Sequence, residues 1–334
     1  MKYEMKPLFK ERMQKLLPDE KDFQKYCEIV RIPPRNFIRC NTIKISPSEL
    51  LERLSKKWKV IQPYPNYPEI MLVQDNLSPG ELGNSIEHLL GYYYIQEVCS
   101  MMSPIALSPQ PNDFILDLCA SPGSKTTQIA AMMKNQGTII ANDLKLDRIM
   151  ILSANIEKSA ITNTIISKND AIALCSKLSK TSFKFDKILL DAPCSGEGTL
   201  RSSPKTFLMW NDKIIKKFSR QQKKFIAFAV KCLKKGGTIV YSTCTHSPEE
   251  NEEVIDFAIK NFPLRIEKIH LPLKCREGIT LWEGKQFSDE VKKACRIYPQ
   301  DNDSEGFFVC KMTLLDDKFK NNSSMSKIIE EIEK

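Results

Sequence analysis

The sequence predicts an α/β protein with a main domain built on a doubly wound, mostly parallel sheet and a small α+β module before it. Between residues 113 and 244, apolar runs of strand length alternate with segments of helical spacing. This alternation is typical of a parallel sheet whose two faces are covered by helices. Shorter strand-like and helical segments predict the preceding module. We therefore expect domains at residues 1–88 and 89–313, followed by a polar tail at 314–334.

Local patterns predict the elements of the N-terminal module. Residues 1–30 have apolar positions at helical spacing. Ser46 is a candidate helix cap, because Pro47 suits the first helical position and Glu49 the third. Short strands are predicted at residues 37–42, 58–62 and 70–73. Residues 89–102 return to helical spacing and are expected to open the main domain.

Apolar runs predict the parallel strands of the main domain. They occupy residues 114–117, 138–141, 164–167, 187–190 and 238–241. A long helix is predicted at residues 212–233, and strand-like segments at 264–269 and 306–311 are expected to add an antiparallel edge. The polar residues after Met312 are not expected to carry chemistry.

Composition limits the possible classes of protein. The 334 residues include 50 Lys and Arg against 41 Asp and Glu, a formal charge of +9 that favours a polyanionic partner. The 11 cysteines are irregularly spaced without a CxxC, and there are 3 histidines, so free thiols are expected rather than a disulfide framework or metal site. The charged N-terminus and the absence of a membrane-length apolar run predict a cytoplasmic protein that does not bind membranes.

Acidic residues end three consecutive predicted strands. Asp117 opens the segment DLCASPGSKT, whose small residues let backbone amides approach a ligand at a helix N-terminus. This segment is neither a GxGxxG loop nor a phosphate-binding P-loop. Asp143 follows about 20 residues later, where an acid can bind ribose hydroxyls, and Asp170 follows the third strand. Three such acids favour a nucleoside cofactor over ordinary turns.

The next two strands each lead to a cysteine, in Asp191-Ala192-Pro193-Cys194 and in Tyr241-Ser242-Thr243-Cys244. One cysteine among eleven is usually a buried apolar residue, but two at strand ends, one with an acid nearby, favour chemistry. Methylation of carbon 5 of cytosine requires a thiolate to add to carbon 6 and an acid to interact with N3. This reasoning does not decide which of the two cysteines is the nucleophile.

Five segments carry a family resemblance: FIRCNT, YYYIQEVCSMM, DLCASPGSKTTQ, DAPCSGEG and YSTCTHSPEENE. Over about residues 35–255 the chain resembles the Nol/Nop/Sun family of RNA cytosine-5 methyltransferases, especially its archaeal tRNA-modifying members. The resemblance implies a Rossmann-like class I methyltransferase domain and an N-terminal RNA-recognition-like module. It also implies S-adenosylmethionine as cofactor and RNA, with tRNA preferred over ribosomal RNA, as substrate.

The resemblance also implies roles for individual residues. Cys244 corresponds to the nucleophile, Cys194 to the cysteine that assists product release, and Asp191 faces the target base, which Lys125 also reaches. Arg148 is expected to position Asp143, which binds ribose, while Asp170 contacts adenine. The residues implied to bind the cofactor are Cys119, Ala120, Ser121, Pro122, Gly123, Ser124, Lys125, Asp143, Arg148, Asp170, Asp191 and Pro193. Ser121 and Ser124 depart from the family's usual alanine and glycine.

Several side chains have two interpretations. A basic helix face formed by Lys216, Arg220, Lys223 and Lys224 suits either an RNA backbone or solvent. Phe207 and Trp210 suit either base stacking or core packing. Arg39 and Asn41 are expected to order the domain interface, His246 to be a loop histidine, and residues 92–94 to pack between domains.

Three other functions were weighed against RNA methylation. In DNA cytosine methyltransferases the nucleophile follows proline, which would select Cys194, but their Glu-Asn-Val motif is absent here. A catalytically silent RNA-binding assembly factor fits poorly with intact Asp191, Cys194 and Cys244. A nicotinamide dehydrogenase requires another glycine pattern. We expect a monomer, with a protein partner left open.

Overall fold

The computed structural model describes residues 5–316, 328–330 and 332–333. The helices are α1 Pro7–Leu16, α2 Glu20–Ile29, α3 Pro47–Leu54, α4 Ile86–Leu89, α5 Met102–Leu107, α6 Ser124–Met132, α7 Leu146–Lys158, α8 Ala171–Leu178, α9 Thr206–Met209, α10 Asp212–Ala229, α11 Glu252–Asn261 and α12 Pro299–Asn302. The strands are β1 Asn36–Cys40, β2 Val60–Ile61, β3 Ile70–Val73, β4 Tyr93–Ile95, β5 Phe114–Asp117, β6 Thr138–Asp143, β7 Thr164–Lys168, β8 Phe185–Asp191, β9 Leu233–Thr243, β10 Leu264–Glu267, β11 Arg276–Glu277, β12 Leu281–Trp282, β13 Lys285–Gln286, β14 Cys295–Ile297 and β15 Phe307–Leu314.

The main sheet has the order β11-β14-β15-β9-β8-β5-β6-β7, and β10 pairs with β15. The five strands from β9 to β7 are parallel, which confirms the predicted doubly wound arrangement. Strands β10 and β15 form antiparallel pairs, as expected for the two late segments, and β14, which was not predicted, also pairs with β15. Strand order reverses between β5 and β8, and a ligand crevice is expected beyond the carboxyl ends of these two strands.

Two apolar layers cover the faces of this sheet. Leu116 and Leu190 pack with residues of α8, α10 and α11 on one face. Ile115 and Leu189, their neighbours along the strands, pack with residues of α5 and α6 on the other. Because successive strand side chains point to opposite faces, a strand covered on both sides is apolar throughout. This burial explains the unbroken apolar runs of the sequence.

The N-terminal module is an antiparallel sheet of order β2-β3-β1-β4 with α3 packed on it. The Ser46 hydroxyl accepts a hydrogen bond from the Glu49 amide at 3.2 Å, which confirms the predicted helix start. The fourth strand lies beyond residue 88, so the module extends to Ile95. The predicted helix at 89–102 is wrong there, because Gly91, with φ +71°, follows α4 and the next residues pair with β1.

The first two helices pack on the main domain rather than on the module's sheet. Phe9, Met13 and Tyr26 form an apolar cluster that also contains Phe207 and Trp210. The Trp210 indole donates a hydrogen bond to the buried Glu197 carboxylate at 2.6 Å. Phe207 and Trp210 are therefore core residues, and the base-stacking interpretation of them is wrong.

Arg39 and Asn41 join the module to the main domain. The buried Arg39 guanidinium donates to the Ser124 carbonyl at 2.7 Å and to the Thr127 hydroxyl at 2.8 Å. The Asn41 side chain donates to the carbonyls of Gly91 and Ser159, both at 2.9 Å. The expectation that these two residues order the interface is confirmed.

The expected tail at 314–334 lies mostly outside the described residues. β15 continues to Leu314, so the main sheet reaches the start of this segment. Farther along, Ile332 is buried and the Glu333 carboxylate lies 2.8 Å from the Lys224 ammonium. Among the described residues, no helix combines the length and hydropathy that crossing a bilayer requires.

Candidate active site

A cavity of about 430 Å³ opens at the carboxyl ends of the central strands. The module contributes Asn36 and Phe37 to its wall, and the main domain contributes Lys125, Asp191 and Cys244. The cavity therefore lies where the reversed strand order predicts a ligand site, and the module closes one side of it.

The two predicted cysteines meet at this cavity. Cys194 follows β8 and Cys244 follows β9, and their Sγ atoms are 3.3 Å apart. Hydrogen bonding to Cys244, and then burial, hold the pKa of the Cys194 thiol well above its ordinary value. The two cysteine side chains are therefore hydrogen-bonded neighbours at one edge of the sheet.

Lys125 and Asp191 form an ion pair beside the cysteines. The Lys125 ammonium lies 2.7 Å from the Asp191 carboxylate and donates to the Ser100 hydroxyl at 2.8 Å. Burial alone would lower the pKa of Lys125, but Asp191, with a contribution from Cys244, raises it overall. Asp191 also accepts a hydrogen bond from the Ser242 hydroxyl at 2.7 Å. The site therefore holds an ion pair in the same cavity as Cys244.

Glu250 supports the loop that carries Cys194. One of its carboxylate oxygens accepts hydrogen bonds from the Ser195 amide at 3.0 Å and from the Gln222 side chain at 2.9 Å. Gln222 also donates to the Pro193 carbonyl at 2.9 Å. Burial raises the pKa of Glu250 to about 8. These contacts fix the backbone on both sides of Cys194.

Two glycines allow the strand ends to approach closely. The Gly198 amide donates to the Cys244 carbonyl at 2.9 Å, and the Gly306 amide donates to the Gly198 carbonyl at 2.8 Å. A Cβ atom at Gly198 would lie 2.2 Å from the Gly306 carbonyl oxygen. No side chain larger than hydrogen fits at Gly198 between these segments.

His246, predicted as a loop histidine, lies in a loop but is buried against Tyr298, with ring centroids 5.0 Å apart.

The loop after β5 and the acid after β6 form a second part of the rim. The Asp143 carboxylate accepts from the Ser121 amide and pairs with Arg148, both at 3.3 Å. Arg148 also donates to the Ser121 carbonyl at 2.6 Å, so it positions Asp143 as expected. The exposed Asp170 caps α8 through one oxygen, which accepts from the Ala173 amide at 2.9 Å.

The residues present fit a nucleoside cofactor with hydroxyl and amine donors. Among the described residues, the buried Oδ1 atom of Asp117 has no hydrogen-bond partner, and burial raises the pKa of this carboxyl to about 7. The other oxygen accepts from the Thr126 hydroxyl at 2.7 Å. Gly123, with φ +106°, lets the loop turn directly into α6. The unpaired Oδ1 atom of Asp117 and the carboxylate of Asp143, at the next strand end, are acceptors that suit the hydroxyl and amine groups of a nucleoside.

The other predicted cofactor residues follow the same loop. Cys119 is half-buried, and burial holds the pKa of its thiol well above the ordinary value. Ala120 and Ser121 are buried, Pro122 is exposed, and Ser124 is half-buried at the start of α6. The Ser121 hydroxyl donates to the Arg148 carbonyl at 2.9 Å. The loop is therefore held from its inner side, while Pro122 remains accessible.

Acids neutralise part of the basic face of α10. The Lys223 ammonium lies 2.8 Å from the Glu253 carboxylate, which also pairs with Lys285 at 3.1 Å. Lys224 pairs with Glu333. For Lys223 and Lys224 the structure favours the solvated-face interpretation, because their charges already have partners.

Sequence reasoning missed several residues of the site. Ser100 and Ser242 hold the Lys125–Asp191 pair, and Glu250 supports the Cys194 loop. Glu97 and Glu305 line the cavity, each from a segment outside the central strands. The segments YYYIQEVCSMM and YSTCTHSPEENE contain Ser100, Ser242, Glu97 and Glu250, but these residues carry no individual chemical signal.

Comparison with known proteins places the chain in a family. Residues 104–313 match the family described as 16S rRNA methyltransferase RsmB/F, and residues 5–98 match the N-terminal domain of 16S rRNA methyltransferase RsmF. A tRNA (cytosine(49)-C(5))-methyltransferase of Pyrococcus abyssi is 41% identical over 297 residues, 89% of this chain and 92% of the relative. Ribosomal RNA small subunit methyltransferase F of Vibrio cholerae is 38% identical over 305 residues. That alignment covers 91% of this chain but 62% of the relative, less than two thirds.

Solved structures show the same fold. A methyltransferase homologue from Pyrococcus horikoshii superposes with a TM-score of 0.77 at 31% identity, over 93% of this chain and 100% of that one. NSun6 from the same organism, solved with SFG, superposes with a TM-score of 0.78 at 26% identity, over 92% and 97% of the two chains.

The fold and the acid-lined rim define a methyltransferase that uses S-adenosylmethionine. The chain belongs to the RsmB/F, or Sun, family of RNA cytosine-5 methyltransferases. The predicted family, fold and cofactor are therefore confirmed.

Proposed function

We propose that this protein methylates carbon 5 of cytosine in tRNA and that Cys244 bonds transiently to carbon 6 of the base. The observation that carries the proposal is the convergence of Cys244, Cys194 and the Lys125–Asp191 pair at one cavity. The preference for tRNA is supported by the relative that aligns over 92% of its own length and is itself named for tRNA.

The first step activates the base. The Cys244 thiol loses its proton to water, and Sγ bonds to carbon 6. The π electrons between carbons 5 and 6 move to the bond between carbons 4 and 5, those between carbon 4 and N3 move to N3, and N3 takes up a proton. The Lys125–Asp191 pair, joined at 2.7 Å, supplies this proton and receives the hydrogen bond from N3. Carbon 5 is then part of an enamine and is nucleophilic.

The cofactor residues act by binding and orientation. S-adenosylmethionine, when bound, supplies an electrophilic methyl group. Asp143, fixed by Arg148, is proposed to bind the ribose hydroxyls, and Asp170 is proposed to bind adenine through its second oxygen. The remaining proposed contacts are residues 119–125, Asp191 and Pro193. The unused Oδ1 atom of Asp117 is available to a donor at this part of the rim.

Release of the product requires loss of the proton from carbon 5 and cleavage of the bond between carbon 6 and Sγ of Cys244. We assign the proton to Cys194. Its pKa is raised most by the hydrogen bond to Cys244, and this cause is lost once Cys244 is bonded to carbon. Cys194 can then give up its proton to water and, as the thiolate, accept the proton from carbon 5. The released electron pair re-forms the double bond between carbons 5 and 6 and expels the Cys244 thiolate, and N3 returns its proton to the Lys125–Asp191 pair.

A methylation assay tests the choice of RNA. Purified protein with methyl-labelled S-adenosylmethionine is given a tRNA transcript, a DNA of the same sequence, or 16S ribosomal RNA. We expect label in the first RNA alone. Label in 16S ribosomal RNA and none in tRNA would overturn the tRNA assignment, whereas no label in any RNA would overturn the methylation proposal itself.

A further inference from the structure

We propose that Glu305 binds the 2′-hydroxyl of the target cytidine and thereby makes the enzyme select RNA over DNA at that nucleotide. The inference rests on the proposed function. Glu305 lines the same cavity as Lys125, Asp191 and Cys244, and it is 3% exposed. Over the described residues, its Oε2 atom has no hydrogen-bond partner. A buried carboxylate oxygen without a partner costs free energy, and a ligand that donates to it removes this cost.

The carboxylate is fixed in position before substrate binds. Its Oε1 atom accepts a hydrogen bond from the Ser202 amide at 2.7 Å. The Glu305 amide donates to one oxygen of Glu97 at 3.0 Å, and the other oxygen of Glu97 accepts from the Cys99 amide at 2.6 Å. Glu97 therefore acts as a clamp that positions Glu305. The oxygen left over is Oε2, so it is the atom available to a ligand.

The nearby Arg201 guanidinium is held by other partners. The Arg201 guanidinium donates to the carbonyls of Ile32, Pro33 and Ser304 and pairs with Asp303 at 2.7 Å. Burial raises the pKa of Glu305, and the charge of Glu97 also raises it, while hydrogen bonds from Ser202 and the charge of Arg201 lower it by less. The site is thus a neutral or negative hydrogen-bonding position, and two carboxyl groups disfavour a phosphate there.

The reaction geometry leaves the sugar as the partner. Carbon 6 of cytosine must meet Cys244, and the edge that carries N3 and the neighbouring exocyclic amine must meet the Lys125–Asp191 pair, so these base atoms are already assigned. The remaining polar groups near the glycosidic bond are the O2 atom and the ribose hydroxyls. O2 can only accept, whereas a hydroxyl can donate to a carboxylate or accept from a carboxylic acid. The hydroxyl therefore fits Glu305 in either protonation state, and it is the group that DNA lacks.

A substrate and mutant cycle tests this contact. Wild-type protein and Glu305→Ala are assayed on two RNAs that differ only in ribose or 2′-deoxyribose at the methylated cytosine. We expect the wild-type kcat/KM to fall about 10- to 100-fold on the deoxy substrate. Glu305→Ala should lose a similar factor on the ribose substrate and should not distinguish the two RNAs. Asp289→Ala, which removes an exposed acid, is the matched control.

The outcomes separate this inference from the proposed function. No methylation of the all-ribose RNA by wild-type protein would refute the function. Methylation with equal rates on both RNAs, or equal losses on both in Glu305→Ala, would refute the role of Glu305 alone. If Glu305→Ala does not fold, Glu305→Met, which keeps the length of the side chain but removes the carboxyl group, replaces it. Unchanged discrimination in Glu305→Met would also overturn the contact.

Discussion

The Sγ atoms of Cys194 and Cys244 lie 3.3 Å apart, although the two residues are separated by 50 positions in the chain. Their strands are parallel neighbours, with Asp191 opposite Ser242, so both loops leave the sheet at the same edge. The Lys125 ammonium lies beside this pair and contacts Asp191. The arrangement gives the two sulfur atoms different surroundings, and different roles follow from that difference.

Replacement of Cys244 and replacement of Cys194 should block different steps of the methylation reaction. Cys244→Ala removes the proposed nucleophile, so methyl transfer should be abolished and no covalent complex should form. Cys194→Ala leaves the nucleophile but removes the proposed proton acceptor, so protein should accumulate as an adduct with RNA. Label incorporation measures the first effect, and denaturing gel electrophoresis of protein with tRNA measures the second.

The same experiment can reverse the assignment. An adduct in Cys244→Ala, with none in Cys194→Ala, would exchange the two roles. Cys27→Ala, which removes a half-buried thiol among the N-terminal helices, is a suitable control. It should retain activity and form no trapped complex.

Loss of the Lys125 charge should lower turnover more than cofactor binding. Lys125→Met keeps a long side chain but removes the ammonium that lies 2.7 Å from Asp191. We expect kcat to fall about 100-fold or more, because the proposed donor of the proton for N3 is lost. Calorimetry should show a smaller change in the affinity for S-adenosylmethionine.

A surface lysine provides the comparison for that variant. Lys292→Met removes a half-exposed ammonium from an ion pair with Asp289, and it should leave both quantities near wild-type values. If the loss of activity in Lys125→Met is restored by saturating cofactor, Lys125 acts in cofactor binding alone, contrary to the proposed role.

Local sequence patterns predicted the strands that are buried on both faces. β5 and β3 occur at the predicted residues 114–117 and 70–73, because an apolar run between polar turns is visible in the sequence itself. β4 was missed. Its residues Tyr93 and Ile95 pair with β1, more than 50 positions earlier, and that pairing overrides the local helical spacing.

The sequence likewise predicts some residues of the candidate site and not others. Asp191 and Cys244 were predictable, because residues after parallel strands collect at one edge of a sheet. Glu305 was not predictable by this rule, since it precedes an antiparallel strand. It reaches the cavity because Phe308 of β15 lies opposite Thr243 of β9, and this register is set by the folded sheet rather than by any local pattern.

Gly198 should tolerate no side chain. Gly198→Ala would bring a Cβ atom to 2.2 Å from the Gly306 carbonyl oxygen and 2.9 Å from the Cys244 carbonyl oxygen. We expect the free energy of unfolding to fall by about 1–3 kcal/mol and methylation to fall more strongly, because Cys244 must shift. Urea unfolding and initial rates measure the two effects.

Another glycine separates this steric effect from general flexibility. At Gly83 the nearest neighbour of an added Cβ atom is 3.5 Å away, an ordinary contact. Gly83→Ala should therefore leave stability and methylation almost unchanged. Equal behaviour of the two variants would contradict the close approach at Gly198.

His246 should make the fold sensitive to acid. Its ring is buried, stacks on Tyr298 and packs edge-on against Tyr26. Burial, with a further effect of Arg296, lowers the pKa of His246 from 6.5 to about 3. Below pH 6.5 the His246 imidazole is protonated in the unfolded chain, whereas in the folded chain it stays neutral until the pH nears 3. The stability associated with neutral His246 is therefore present above pH 6.5 and is lost as the pH falls below it.

His246→Phe keeps an aromatic ring against Tyr298 and cannot be protonated. Between pH 6.5 and 4.5 we expect wild-type protein to lose about 1.4 kcal/mol of unfolding free energy per pH unit relative to this variant. Asp117 and Glu250, whose pKa values are raised to about 7 and about 8, act in the opposite direction, but they are present in both proteins and cancel. Urea unfolding at several pH values measures the difference. The exposed His270 serves as the control, because His270→Phe should leave the pH dependence of the wild-type unfolding free energy intact. Parallel plots of unfolding free energy against pH for wild-type protein and His246→Phe would show that the buried ring does not govern the response to acid.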